Sequence, residues 1–201
     1  MNIQLPKLIN VLEQKQYAVF KGDSKPFNLN IVGIRAMKPI SNKFNDTLCV
    51  FWCHEGNWSK LDFCITTLPG LVWLERPMNP KGCAILVPGQ YRSVYKIDLH
   101  SGKYPALCQR NGNVTVYRDN DKDRDWDMIE GSEETGRFGI NIHRASAYKE
   151  VESVNSYSAG CQVFQNPDEF GFFMNLCERS REQWGDTFTY TLITQEDYYN
   201  G

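Results

Sequence analysis

The chain has 201 residues, 41% of them hydrophobic and 13% aromatic, which suits one globular domain with a sizeable core and excludes a disordered segment. The net charge of −2 argues against a phosphate-binding surface, so nucleic acid is not an expected partner. No apolar run is long enough to span a bilayer, and Met1-Asn2-Ile3-Gln4-Leu5-Pro6-Lys7 lacks the basic segment and apolar region of a signal peptide.

In chain order, residues 5–16 carry a helical stripe of Leu5, Leu8, Ile9, Val11 and Leu12. From residue 28 the texture turns to short apolar or alternating runs, read as strands over 28–34, 47–52, 58–66, 70–74, 83–87, 91–97, 106–110 and 114–117. His54-Glu55-Gly56-Asn57 and Asn111-Gly112-Asn113 read as hairpin turns, and 100–104 as a hairpin tip carrying a lone surface His100. Residues 118–137 read as a long acidic surface loop, 138–143 as a strand and 145–158 as a second polar loop. Asn166-Pro167-Asp168-Glu169 signals a helix start, Phe170, Phe173, Met174 and Cys177 give it an apolar face, and Gly185 ends it. Residues 187–194 alternate as a final strand. The expected fold is mainly β with minor α, having one prominent helix in the C-terminal half and a short one at the N-terminus.

The seven cysteines show no CxxC pair, and most sit inside apolar runs, so they read as small buried hydrophobes of a reducing compartment. Cys49-x-x-x-Cys53-His54 could open a zinc site but has no second half at ligand spacing. Asp119, Asp121, Asp123, Asp125, Asp127 and Glu130 occupy positions 1, 3, 5, 7, 9 and 12 of an EF-hand-like window, a candidate calcium loop, although Arg124 stands where a glycine normally makes the turn. The competing reading is a solvated acidic loop. Tyr91, Tyr104, Tyr117 and Trp126 are core or rim aromatics that could also edge a groove.

Gly139-Ile140-Asn141-Ile142-His143-Arg144 places an imidazole at the end of an apolar run. Ser158-Ala159-Gly160-Cys161-Gln162 then places a thiol in a turn of small residues. A thiol needs a base to act as a nucleophile near neutral pH, and small residues let backbone N–H groups face an incoming carbonyl. The bland alternative is a strand-end histidine and one more buried thiol.

These residues, with Val87-Pro88-Gly89-Gln90-Tyr91 upstream and the helix–Gly185–strand downstream, resemble the catalytic region of the L,D-transpeptidase (YkuD-like) family over roughly residues 83–194. The order of His strand, loop, Ser-x-Gly-Cys turn, helix and closing strand is similar. The resemblance implies an L,D-transpeptidase-like β-sandwich or barrel, with 81–201 as catalytic domain and 1–80 as a helix and β-rich region without counterpart, packed on the same domain. It implies Cys161 as nucleophile, His143 as base, and Gly160 and Cys161 N–H groups as oxyanion donors. Ser158 or a carbonyl near Arg144 orients the imidazole, and Arg144, Gln162 and Tyr91 are substrate contacts. No cofactor is required, and the implied partner is a peptidoglycan stem peptide. Ala159 replaces the family's second His, and Gln162-Val163 replaces its apolar-then-Arg/Asn continuation.

The implied activity is acyl transfer or hydrolysis through a Cys161 thioester. The absent signal peptide suggests a product made in the cytoplasm that reaches the wall by lysis or within a phage virion, with self-association as a further possibility. The alternative is a non-catalytic virion or wall-binding protein retaining the fold.

Overall fold

A computed structural model describes residues 2–22, 24–38 and 40–201. Helix α1 (Leu5–Gln14) opens at a proline, whose fixed φ suits a first turn, and buries Leu8, Val11 and Leu12. The chain then forms β1 (Asn30–Arg35), β2 (Asp46–His54), β3 (Asn57–Thr66), α2 (Leu71–Glu75), β4 (Cys83–Leu86), β5 (Gly89–His100), β6 (Tyr104–Gln109) and β7 (Val114–Asp119). There follow β8 (Glu134–Gly136), β9 (Ile142–Arg144), β10 (Gln162–Phe164), α3 (Pro167–Trp184), β11 (Phe188–Thr194) and α4 (Gln195–Asn200).

Eight strands close a barrel in the order β1-β11-β5-β6-β9-β10-β3-β2, and β4-β7-β8 make a second sheet. The β1/β11 and β9/β10 pairs are parallel and the rest are antiparallel. The fold is thus mainly β with minor α. Strands from before and after residue 80 share this barrel, so both segments build one core.

The β2–β3 hairpin turns at Glu55 and Gly56, both at positive φ (49° and 75°), the backbone that matches strand twist in a two-residue turn. Gly33 on β1 has a packing reason. A Cβ there would overlap the Tyr190 hydroxyl, which donates instead to Gln162 Oε1 at 2.8 Å. Helices α1 and α4 cover one outer wall over Val32, Ile34, Phe51 and Ile193. Helix α3 covers another through Phe170 and Phe173, whose rings meet Phe164 at 5.4 and 5.1 Å. Each such buried phenyl contributes about 2–3 kcal/mol. Asn166 caps α3, its side chain accepting from the Asp168 and Glu169 N–H groups. That cap contributes ~1 kcal/mol.

Buried Arg35 donates to Thr67 Oγ1 (2.9 Å) and to the Thr67 and Leu86 carbonyls. Asp46 accepts from Thr67 N–H and Oγ1–H and from Ala36 N–H. Thr67 thereby links a buried cation to a buried carboxylate. This satisfied network fastens β1, β2 and the segment after β3 together.

Four expectations are corrected. Residues 70–74 are not a strand, because the Gly70 carbonyl accepts from Trp73 and Leu74 N–H groups and starts α2. Asn111-Gly112-Asn113 is not a hairpin turn, because β6 pairs in the barrel while β7 pairs with β4 and β8. There the Arg110 and Asn111 N–H groups both donate to the Val94 carbonyl at 3.2 and 3.0 Å, and the chain crosses between sheets. Regular strand over 138–143 begins only at Ile142. The Phe138, Gly139 and Ile140 N–H groups turn instead to Gln109 Oε1 at 2.9–3.1 Å. Finally, the loop 118–137 contains β8, paired on β7.

Candidate active site

Strands β9 and β10 run side by side, with Ile142 beside Gln162 and His143 beside Val163. Asn141 and Cys161 immediately precede them, and Gln162 N–H donates to the Asn141 carbonyl at 2.9 Å. Side chains alternate along strands, so Asn141, His143 and Cys161 share one face while Ile142 and Gln162 take the other. Accordingly Asn141, His143 and Cys161 all line a cavity of about 700 Å³, and Ile142 and Gln162 are fully buried.

The Ser158–Cys161 turn is built by its own side chains. Ser158 Oγ accepts from Gly160 N–H (3.2 Å) and donates to the Cys161 carbonyl (2.9 Å). Gly160 sits at φ +117°, where a Cβ would also overlap the Ala84 carbonyl, so only glycine fits. The Gly160 N–H, expected to face an oxyanion, is therefore engaged by Ser158. That leaves the Cys161 N–H as the backbone candidate.

His143 Nδ1 lies 2.8 Å from the Arg144 carbonyl. A carbonyl only accepts, so Nδ1 carries the proton and Nε2 presents the lone pair, the tautomer a base requires. The Tyr104 hydroxyl donates to the same carbonyl at 3.1 Å. His100 stacks on His143 with ring centroids 3.9 Å apart at 20°. Asn141 Oδ1 accepts from Gln109 N–H, so its amide nitrogen donates to His100 Nδ1 at 3.1 Å. His100 consequently holds its proton on Nε2.

Burial, then repulsion from His100, push His143 down to about 3, against the pull of the Arg144 carbonyl. Burial, then Arg110 and Lys103, also lower His100. The Cys161 thiol donates to the Gly139 carbonyl and accepts from Asn141 N–H, both at 3.4 Å. Burial pushes it up to about 11, offset by the Asn141 N–H. No hydrogen bond joins the thiol to His143. The resting site therefore holds a neutral thiol and a neutral imidazole rather than a standing ion pair. Alkylation of Cys161 by iodoacetamide, followed by mass spectrometry of the peptide, should accelerate with pH up to about 11. A plateau reached below pH 8 would show a thiolate this environment does not sustain.

His100, expected to be a lone surface residue, is instead half-buried and lines the cavity. The local signal was its place at the end of a β-hairpin, but its partners Asn141 and His143 lie 41 and 43 residues away. Three expected substrate contacts do not line the cavity. Gln162 faces the barrel interior, bonded by Tyr190. The Arg144 guanidinium lies over the Tyr104 ring at 4.2 Å. The Tyr91 hydroxyl donates to the Val87 and Thr115 carbonyls at 2.6 and 3.2 Å, and burial pushes it up to about 12. Strand pairing turns these side chains toward the scaffold behind the site.

In the acidic loop, carboxylate oxygens of Asp121, Asp123 and Asp127 lie within 4.8 Å of one another. Asp119 is buried, accepts from Asp127 N–H at 2.9 Å and is pushed up to about 6 by burial. Asp125 and Glu130 stand outside that group. Among the described residues this is the sole convergence of potential metal ligands, and Cys49, Cys53 and His54 are spread along β2. No helix among the described residues is long and apolar enough to cross a membrane. No family model, curated protein or solved structure matches the chain.

Proposed function

We propose that the protein is a cysteine-dependent acyl transferase or hydrolase of the L,D-transpeptidase type, acting on peptidoglycan stem peptides. The observation that carries this reading is one cavity lined by both Cys161 and His143, with His143 Nδ1 held by the Arg144 carbonyl. His143 Nε2 takes the thiol proton as sulfur attacks the peptide carbonyl and the S–C bond forms. The Cys161 N–H and the His100 Nε2–H donate to the oxyanion. The C–N bond then breaks, the imidazolium returns its proton to the leaving amine, and a thioester remains. Water, deprotonated by His143, hydrolyses it, and an amine acceptor transfers it instead.

Chromatography of stem peptides after incubation tests the reading. The expected result is loss of a C-terminal residue or appearance of a cross-linked product. Unchanged peptides under reducing conditions would contradict it. The second reading, a non-catalytic wall-binding or virion protein, is favoured by one observation: the thiol bonds backbone groups on both sides and is held neutral.

Independently of the acyl-transfer reading, we propose that the acidic loop of Asp119, Asp121, Asp123, Asp125, Asp127 and Glu130 holds calcium, with Asp121, Asp123 and Asp127 as its converging ligands. The carboxylate oxygens of these three lie within 4.8 Å of one another, and a divalent cation would offset their mutual repulsion. Calorimetric titration with calcium chloride should show binding that Asp127→Asn abolishes. Absence of heat and of any thermal stabilisation would refute the placement.

A further inference from the structure

The cavity's lining is chemically lopsided. Trp73, Met78, Phe138 and Tyr157 supply apolar walls, Asn79 and Asn141 supply amides, and among the described residues no aspartate or glutamate lines it. Among the described residues its one charged lining residue is Arg118 of β7.

Arg118 is 7% exposed and is held in place from several sides. Its Nε donates to Glu134 Oε2 at 2.8 Å, Nη1 donates to the Gly82 carbonyl at 3.3 Å, and the guanidinium lies 4.7 Å above the Phe138 ring. Glu134 is shared with Lys81. Two cations thus divide one carboxylate, and the group keeps a net positive charge at the cavity wall. A guanidinium has five N–H donors, and no protein acceptor among the described residues takes those of Nη2. A rigid, buried, under-neutralised fork beside an otherwise uncharged cavity is a match for a planar anion with two oxygens.

We propose that Arg118 is a carboxylate anchor, and that the ligand of this cavity is a peptide bearing a free carboxylate, with its scissile carbonyl at Cys161. The proposal deepens the acyl-transfer reading and rests on it only for the second clause. The carboxylate belongs either to the peptide C-terminus or to an acidic side chain. Both present the same chemistry to Arg118.

The test uses full-length protein with Cys161→Ala, which holds peptide without turning it over. Calorimetry or the fluorescence of Trp73 would report binding of a stem tetrapeptide as free acid, as C-terminal amide and as side-chain amide. One amide is expected to bind about 10- to 100-fold more weakly than the free acid, the size of effect a charge-assisted pair gives. Which amide loses affinity identifies the carboxylate. Arg118→Gln should bind acid and amide alike, and Arg118→Lys should restore part of the preference.

Equal binding of all three peptides by the Arg118 protein would overturn the proposal, as would an acid preference that survives in Arg118→Gln. Failure of every peptide to bind would overturn it too. If Arg118→Gln does not fold, the amide comparison on the Arg118 protein still decides. Because the test needs no catalysis, discrimination by the Cys161→Ala protein, together with absence of a thioester in the unsubstituted protein, would refute the acyl-transfer reading alone.

Discussion

Replacing Cys161 with alanine is expected to reduce turnover of stem peptides by about 10⁴-fold or more, while leaving the barrel folded. The size follows from the chemistry assigned to the sulfur. Without it the thioester path is closed, and only water remains to attack the bound carbonyl. Folding should be little affected, because the thiol's bonds to Gly139 and Asn141 are weak sulfur contacts at 3.4 Å at the cavity edge. His143→Gln should lose about 10²- to 10⁴-fold, the range for one general base. The double variant should lose no more than Cys161→Ala alone, since the two act as a unit. Peptide turnover and urea unfolding on the same samples check both parts. A loss below tenfold in well-folded Cys161→Ala protein would support the non-catalytic alternative.

The second large effect is on stability in acid. His143 is held in the fold at about 3, against an ordinary value of 6.5. Above pH 6.5 it is neutral in both folded and unfolded states and adds no pH dependence. As pH falls below 6.5 the unfolded chain binds a proton that the folded chain refuses, so the stability present above 6.5 drains away until the folded site also titrates. Each pH unit removes about 1.4 kcal/mol, so about 2–3 kcal/mol is lost between pH 6.5 and 4.5. Asp46 and Asp119 act in the opposite direction. Burial raises both, so each favours the fold as acid is added. The contribution of His143 is therefore read as a difference. Urea unfolding of His143→Gln should show a shallower decline over that window than the unsubstituted protein, by the same 2–3 kcal/mol. Parallel declines would show that the imidazole is already charged or solvated.

The residues that make the site were readable in the chain, and their partners were not. Ser158, Gly160 and Cys161 announce a tight turn by size alone, and the positive φ at Gly160 is what that composition serves. Asn166-Pro167 at the start of α3 and Glu55-Gly56 at the β2–β3 turn are equally local, because capping and turn geometry are decided within four residues. The parallel pairing of β9 with β10 is different in kind. It joins two three-residue strands across a long loop, with no periodicity to reveal either. His100 enters the site through another nonlocal pairing, that of β6 with β9, which sets the end of β5 against Asn141 and His143. Residues 70–74 illustrate another limit: a five-residue apolar run fits a strand or one helical turn, and the Gly70 hydrogen bonds decide between them. Arg118 was hidden inside a stretch that reads as a polar loop, because its place at the cavity wall depends on which cavity β7 borders.

The most direct test of the central claim is intact-mass spectrometry of the protein after brief exposure to a stem tetrapeptide, quenched in acid to preserve a thioester. The account predicts an added mass equal to the acyl portion of the peptide, mapped to Cys161, absent in Cys161→Ala and greatly slowed in His143→Gln. An unmodified Cys161 at every time point, in protein shown to bind the peptide, would contradict it.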